Sequence, residues 1–191
     1  MNTNDYTIIS KECDVRTYVE MWRASRFLLM MGKDVQEESY YHFMASIVFT
    51  AFSLEAYLNH LGPNIFKCWD SLERLSPKDK LNVVAEKIGI EVDYGVRPWQ
   101  VVKELFGFRN DIAHGKSIKA SETIKRKTSK IKESEIFDWT KTEWEKYCTE
   151  RNASRARKDV AKIILKLHAL AGIDELPLQT GIQSMHINSE K

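Results

Sequence analysis

YYHFMASIVFTAFSLEAYLNHL, residues 40–61, is the most apolar stretch of this 191-residue chain, and its reading decides the fold. It approaches the length of a membrane span, but His42, Glu55, Asn59 and His60 interrupt it. Only about 12 residues, from Phe43 to Leu54, are free of charge or strong polarity, against the ~20 that a bilayer requires. The stretch therefore reads as the central helix of a water-soluble bundle, apolar almost all round because neighbouring helices cover several of its sides. Extended back to residue 36, this spine is nearly 40 Å long at ~1.5 Å per residue. The breaker pair Gly62-Pro63 is expected to end it.

The helical pattern continues outward in both directions. On the N-terminal side, Val15, Tyr18, Val19, Trp22, Phe27 and Met30 recur near helical spacing, predicting a helix over 15–31 with Gly32 as its stop. On the other side, Ser76-Pro77 is a good helix opening, and Leu81, Val84, Ala85 and Ile88 then form one apolar face. IGIEVDYGV reads as a loop. RPWQVVKELFGFRNDIAH follows, with Val101, Leu105, Phe108 and Ile112 on one stripe and Gly115 as the stop. A last helix is expected over 142–171, carrying Trp144, Val160, Ile163, Ile164, Leu167 and Leu170 before Gly172.

Strand signals are weak, so the fold class is all-α: an antiparallel bundle of four to five helices with a polar insertion before the last one. Residues 1–14 form an N-terminal segment, 15–174 one helical domain with a Ser-, Thr- and Lys-rich insertion at 116–140, and 175–191 a flexible tail.

Composition narrows the function classes. The apolar share of 43% and the charged share of 29% are ordinary for a water-soluble protein. With 29 basic and 27 acidic residues the net charge is +2, so any attraction to nucleic acid must be local. Cys13, Cys68 and Cys148 lie far apart with no CxxC pairing, which excludes a recognisable zinc knuckle and fits a reducing compartment. The start, MNTNDYTIISKECDV, does not read as a signal peptide, and a cytoplasmic location without membrane attachment is expected.

One polar cluster stands out. GFRNDIAHGK, residues 107–116, ends an apolar helix with Arg109, Asn110, Asp111 and His114. Cationic side chains suit the carbonyl end of a helix, so a plain polar terminus is one reading, with Arg109 paired to Glu104 or to a neighbour's Asp111. Asn110 and His114, four apart, share a face, so the amide can orient the imidazole. Arg109 and His114 lie about 140° apart around the axis at ~100° per residue, so a site using both is easier to build where two copies meet. The spine also carries Glu55, a carboxylate that is costly there unless paired; a structural ion pair, with Arg109 among the possible partners, is the first reading and support of a site the second.

R-N-x-x-x-H-G after an amphipathic helix, downstream of a long helix reading A-F-S-L-E-A-Y-L-N, resembles the HEPN superfamily over roughly residues 15–171, the insertion apart. Its members are small all-α domains, many of them ribonucleases of prokaryotic toxin–antitoxin and other defence systems, with an Arg, four to six residues and then a His. The resemblance implies a metal-independent endoribonuclease that needs no cofactor, acts as a homodimer on RNA, and works beside an antitoxin or other defence-system partner. Arg109, His114 and Asn110 carry the chemistry in this reading, with Glu55 and Lys116 in support. In a subset of the family a tyrosine two residues after the His is modified by a partner; here that position is Lys116, which does not support that route.

The residue types suit the reaction. Internal attack by a 2′-hydroxyl needs a base near neutral pH, and imidazole ordinarily titrates near ~6.5. It also needs fixed positive charge on phosphate oxygens, which a guanidinium fork supplies. The alternatives are a non-catalytic module of the same fold that binds a nucleotide, RNA or protein, and a purely structural helical dimer. Two basic clusters could add RNA contacts: Lys116, Lys119, Lys125, Arg126, Lys127, Lys130 and Lys132 in the insertion, and Arg151, Arg155, Arg157, Lys158, Lys162 and Lys166 on the last helix. Neither interleaves the aromatics of a base-stacking platform, and a solvated surface is the default for both.

Overall fold

The computed structural model describes residues 6–35, 39–123, 125, 127–130, 140–173, 176–179 and 183–190. The elements run β1 (Tyr6–Cys13), α1 (Thr17–Asp34), α2 (Ser39–Ile65), α3 (Trp69–Leu72), α4 (Pro77–Lys87), α5 (Gln100–Ala113), a 3-10 turn (Thr128–Lys130), α6 (Glu143–Tyr147), α7 (Glu150–Ala171) and β2 (Gln183–Glu190). The fold class is that of an all-α bundle, with α1, α2, α4, α5 and α7 as its long members. Among the described residues no helix is long and apolar enough to cross a membrane.

The 27-residue α2 is the spine. Ile47, Ala51, Leu54, Leu58 and Leu61 repeat at helical spacing and are wholly buried, facing Leu81 and Val84 of α4, Val101 and Leu105 of α5, and Val160, Ile163 and Leu167 of α7 in one core. Each such leucine or isoleucine favours folding by ~1.5–3 kcal/mol through burial.

Along α1 the contact is different: small hydroxyls line a buried seam. Ser25 Oγ lies 2.6 Å from Thr50 Oγ1, Ser46 Oγ donates to the Ser25 carbonyl at 2.8 Å, and Ser53 Oγ donates to the Tyr18 carbonyl at 2.9 Å. Buried hydroxyls demand such partners, and their small size lets the two backbones approach. The pairing of Tyr18 with Ser53 and of Ser25 with Ser46 makes α1 and α2 antiparallel. α7 is antiparallel to α1 as well, because Arg157 donates to the Trp22 carbonyl (2.8 Å) while Lys33 pairs with Glu150 (3.0 Å). α2 and α7 therefore run in the same sense.

Two glycines expected to stop helices instead lie inside them. A Cβ on Gly32 would sit 2.7 Å from Phe43 Cε1, and one on Gly62 would sit 2.1 Å from Trp69 Cδ2. These are close-approach positions, so α1 runs on to Asp34 and α2 passes through Pro63 to Ile65, where proline removes one bond in the last turn. Gly172 is a true terminator, with φ +68 in the left-handed region.

The last helix is divided. Thr142 and Glu145 form a reciprocal capping box at the start of α6, and Thr149 caps α7 by accepting from the Asn152 N–H at 3.2 Å, so a second start falls inside the stretch read as one helix. The two chain ends also differ from expectation. Residues 183–190 of the supposed flexible tail form β2, paired antiparallel with β1 in the N-terminal segment from Tyr6↔Glu190 to Cys13↔Gln183. Met185 and Ile187 do alternate with polar residues, but over a span too short to register as a strand without its distant partner. In the insertion, residues 115–123 are exposed and form neither helix nor strand, and residues 131–139 lie outside the described set.

Candidate functional site

α5 positions the motif. Its apolar stripe, Val101, Leu105 and Phe108, is buried against the core, which fixes the rotation of the last turn and leaves Asn110, Asp111 and His114 in solvent. His114 is the C-cap residue, its N–H bonded to the Asn110 carbonyl at 2.9 Å. An added Cβ on the next residue, Gly115, would lie 2.7 Å from the Asp111 carbonyl oxygen, so glycine lets the chain turn past the helix end.

Arg109 points the other way, onto α2. Its Nη2 donates to Glu55 Oε2 at 2.5 Å and its Nη1 to Asn110 Oδ1 at 3.1 Å. The guanidinium lies 5.9 Å from the Phe52 ring centroid and 5.8 Å from that of Phe106. Glu55 and Arg109 are 25% and 20% exposed, so the pair sits at the surface of the bundle rather than inside it. The paired carboxylate is the arrangement anticipated for the spine. Glu104, the other carboxylate considered for Arg109, is taken by Arg97 (3.1 Å), Arg155 (3.2 Å) and Tyr147 (3.2 Å). Burial, with Glu104 adding to it, pushes the Tyr147 hydroxyl up to about 12.

A third member was not legible in the sequence. Lys80 of α4 is only 4% exposed; its Nζ donates to Asn59 Oδ1 at 2.8 Å and lies 3.9 Å from Glu55 Oε1. The carboxylate therefore faces two cations, and the Lys80–Glu55–Arg109 cluster keeps one net positive charge. In sequence Lys80 is one lysine of the polar run SPKDK, and nothing there marks it as buried.

His114 belongs to a different surface. A groove of about 1010 Å³ lies between the end of α5 (Asn110, His114), the irregular segment that follows (Lys116, Lys119) and the start of α6 (Lys141, Trp144). Arg109 is not on its wall. Asn110 is the residue common to both places: its side chain accepts from Arg109 and it borders the groove with His114. The amide oxygen expected to orient the imidazole is thus used by the guanidinium. Within one chain the structure brings Glu55, Arg109 and Asn110 together, and Asn110, His114 and Lys116 together, but it does not juxtapose Arg109 and His114.

The remaining candidates sort by contact. His168 is buried against the Tyr57 hydroxyl at 3.1 Å, and His60 packs tilted against Tyr18 with ring centroids 4.9 Å apart. On α7, Arg155 is held by Glu104, Arg157 stacks on Trp22 at 3.8 Å, and Lys166 lies 5.5 Å from the Trp99 ring centroid, so half of that basic cluster serves packing. In the insertion, Lys116 and Lys119 border the groove, whereas Arg126 and Lys132 lie outside the described residues. Along α2, Tyr41 (59% exposed) and Phe52 (39%) lie on one outward face with Val48 and Phe49, an apolar strip that reaches the Arg109 guanidinium. Comparison of the chain with family models, with curated proteins and with solved structures finds no match.

Proposed function

We propose that the chain is a metal-independent endoribonuclease of the HEPN type, acting in the cytoplasm as a homodimer within a prokaryotic toxin–antitoxin or other defence system. One observation carries this reading. The last turn of α5 offers a solvent-facing imidazole, His114, and one turn back a guanidinium, Arg109, whose neutralising carboxylate is itself countered by buried Lys80. Without Lys80 the Glu55–Arg109 pair would be neutral overall; with it, the site keeps the positive charge that a phosphate needs.

The separation of Arg109 from His114 within one chain is the reason for two copies. The apolar strip of Tyr41, Val48, Phe49 and Phe52 beside Arg109 gives a second copy a surface to cover, and a twofold contact there sets the two α5 ends facing one another. An imidazole accepts the 2′-hydroxyl proton as that oxygen attacks phosphorus. The bond to the 5′-oxygen breaks, an imidazolium returns a proton to it, and a 2′,3′-cyclic phosphate and a 5′-hydroxyl result. Arg109 holds the non-bridging oxygens as their charge grows.

The test is cleavage of total RNA by the purified chain in the presence of a chelator. Cleavage that persists under chelation, disappears in His114→Ala and falls at least ~100-fold in Arg109→Ala supports the assignment. Equal cleavage by wild type and His114→Ala overturns it. The Glu55–Arg109 bond favours a second reading, a module that binds RNA or a nucleotide without cutting it, since the guanidinium is already held by its own bundle. In that case Arg109→Ala weakens binding and no variant changes the RNA.

A further inference from the structure

The basic residues at the start of the insertion lack aromatic neighbours in sequence, but the fold supplies one. Trp144, from the start of α6, lines the same groove as Lys116, Lys119 and His114, and its indole is backed by Tyr40 with ring centroids 6.3 Å apart. A braced aromatic face beside ammonium groups is the combination that holds single-stranded nucleic acid: a base stacks on the ring while the cations follow the phosphates. We propose that this groove is the subsite for the single strand running away from the scissile phosphate, with one base on Trp144 and adjacent phosphates on Lys116 and Lys119. The proposal rests on the nuclease reading of His114 for the identity of its ligand.

Three features favour a strand over a free nucleotide or a protein. At about 1010 Å³ the groove is at the top of the ~300–1,000 Å³ typical of clefts for one small molecule, and its walls at residues 115–122 are exposed along their length. His114 lines it together with Lys116, Lys119 and Trp144, so a strand lying in the groove runs beside the imidazole. Its charge is mixed: Lys146 pairs with Glu143 at 2.8 Å, and Asp111 and Glu122 also line the groove. A diffuse field is therefore weak, and affinity comes from stacking plus a few placed ammonium groups. That predicts a shallow salt dependence, a slope of log affinity against log salt near about −1.4 for two phosphates on a single strand.

The experiment uses a short fluorescein-labelled 2′-O-methyl oligoribonucleotide, which lacks the attacking hydroxyl, and reads anisotropy with the full chain. Trp144→Ala is expected to weaken binding about tenfold and Trp144→Phe to retain most of it. Lys119→Glu, on an exposed segment where folding is not at risk, is expected to weaken binding and flatten the salt slope by about 0.7. Lys162→Glu on α7 is expected to change nothing. Unchanged binding in both Trp144→Ala and Lys119→Glu overturns the proposal, as does loss of binding in Lys162→Glu alone. Competition by AMP as effective as by the unlabelled oligomer overturns the strand assignment. Binding that follows the expected pattern in a chain that cleaves nothing leaves the groove standing and removes the nuclease reading. Cleavage dependent on His114 with binding indifferent to Trp144 and Lys119 does the reverse.

Discussion

Replacing Glu55 by glutamine is the sharpest probe of the network beneath Arg109. The substitution preserves shape and the one acceptor oxygen that Arg109 needs, while it removes the charge and turns the oxygen facing Lys80 into a donor. What remains is an ammonium on Lys80, 4% exposed, with Asn59 Oδ1 at 2.8 Å as its acceptor. Breaking a fully buried ion pair costs about 3–5 kcal/mol, whereas an exposed pair contributes about 0.2–1 kcal/mol. Glu55 is 25% exposed and its cationic partners are unequally buried, so the expected loss lies between, at about 2 kcal/mol. For a chain of this size that lowers the melting temperature by roughly 4–8 °C. If the cost originates in the stranded lysine, Lys80→Met alone is nearly neutral, because Glu55 keeps Arg109. The double variant then recovers about 1 kcal/mol relative to Glu55→Gln. Urea denaturation followed by tryptophan fluorescence measures all four chains of the cycle. A double variant no more stable than Glu55→Gln would show that Lys80 is not what makes the carboxylate necessary, and the charge account of Arg109 would go with it.

The packing description gives two glycine substitutions of opposite sign. Gly62→Ala, whose new methyl meets the Trp69 ring at 2.1 Å, is expected to destabilise by about 1–3 kcal/mol, whereas Gly107→Ala, with nothing within 4 Å in mid-helix, gains about 0.5–1 kcal/mol; thermal melts decide both. Cys13 and Cys68 are exposed and Cys148 is buried, with burial pushing its thiol up to about 12. A thiol reagent at about pH 8 should therefore titrate two cysteines quickly and the third only on unfolding, since on the order of 10⁻⁴ of Cys148 is thiolate there. The same shift sets a pH trend. The folded chain holds that proton more tightly than the unfolded one, so the contribution is complete below the ordinary value of 9.0 and declines as pH rises toward about 12, which denaturation at rising pH will measure.

Local order was legible because it is written in local spacing. The stripe on α2, the Ser76 cap, the apolar stripe on α5 and the stop at Gly172 each depend on residues a few positions apart. Features that depend on distant partners were not legible. Gly32 and Gly62 look like terminators until Phe43 and Trp69 are placed against them. A lysine in SPKDK looks solvated until Asn59 and Glu55 are found above it, and Trp144, half-buried against the core as its spacing suggests, also borders a groove that spacing does not show. For the site, spacing picked out Arg109, Asn110 and His114 and paired Glu55 with a cation. It also placed Asn110 against the imidazole, because helix geometry alone cannot tell that the neighbouring guanidinium is the nearer donor.

The ribbon of β1 and β2 has a kinetic corollary. Its innermost rung, Cys13 with Gln183, spans nearly the entire polypeptide, and forming it from an open coil costs roughly 4–5 kcal/mol of closure entropy. The α1–α2 hairpin meets far smaller separations. Assembly is therefore ordered: helices dock first and draw the extremities together, and only then do the two strands zip. Run in reverse, the same order makes this rim the earliest part to fray, so its amides should exchange with solvent well before those of α2.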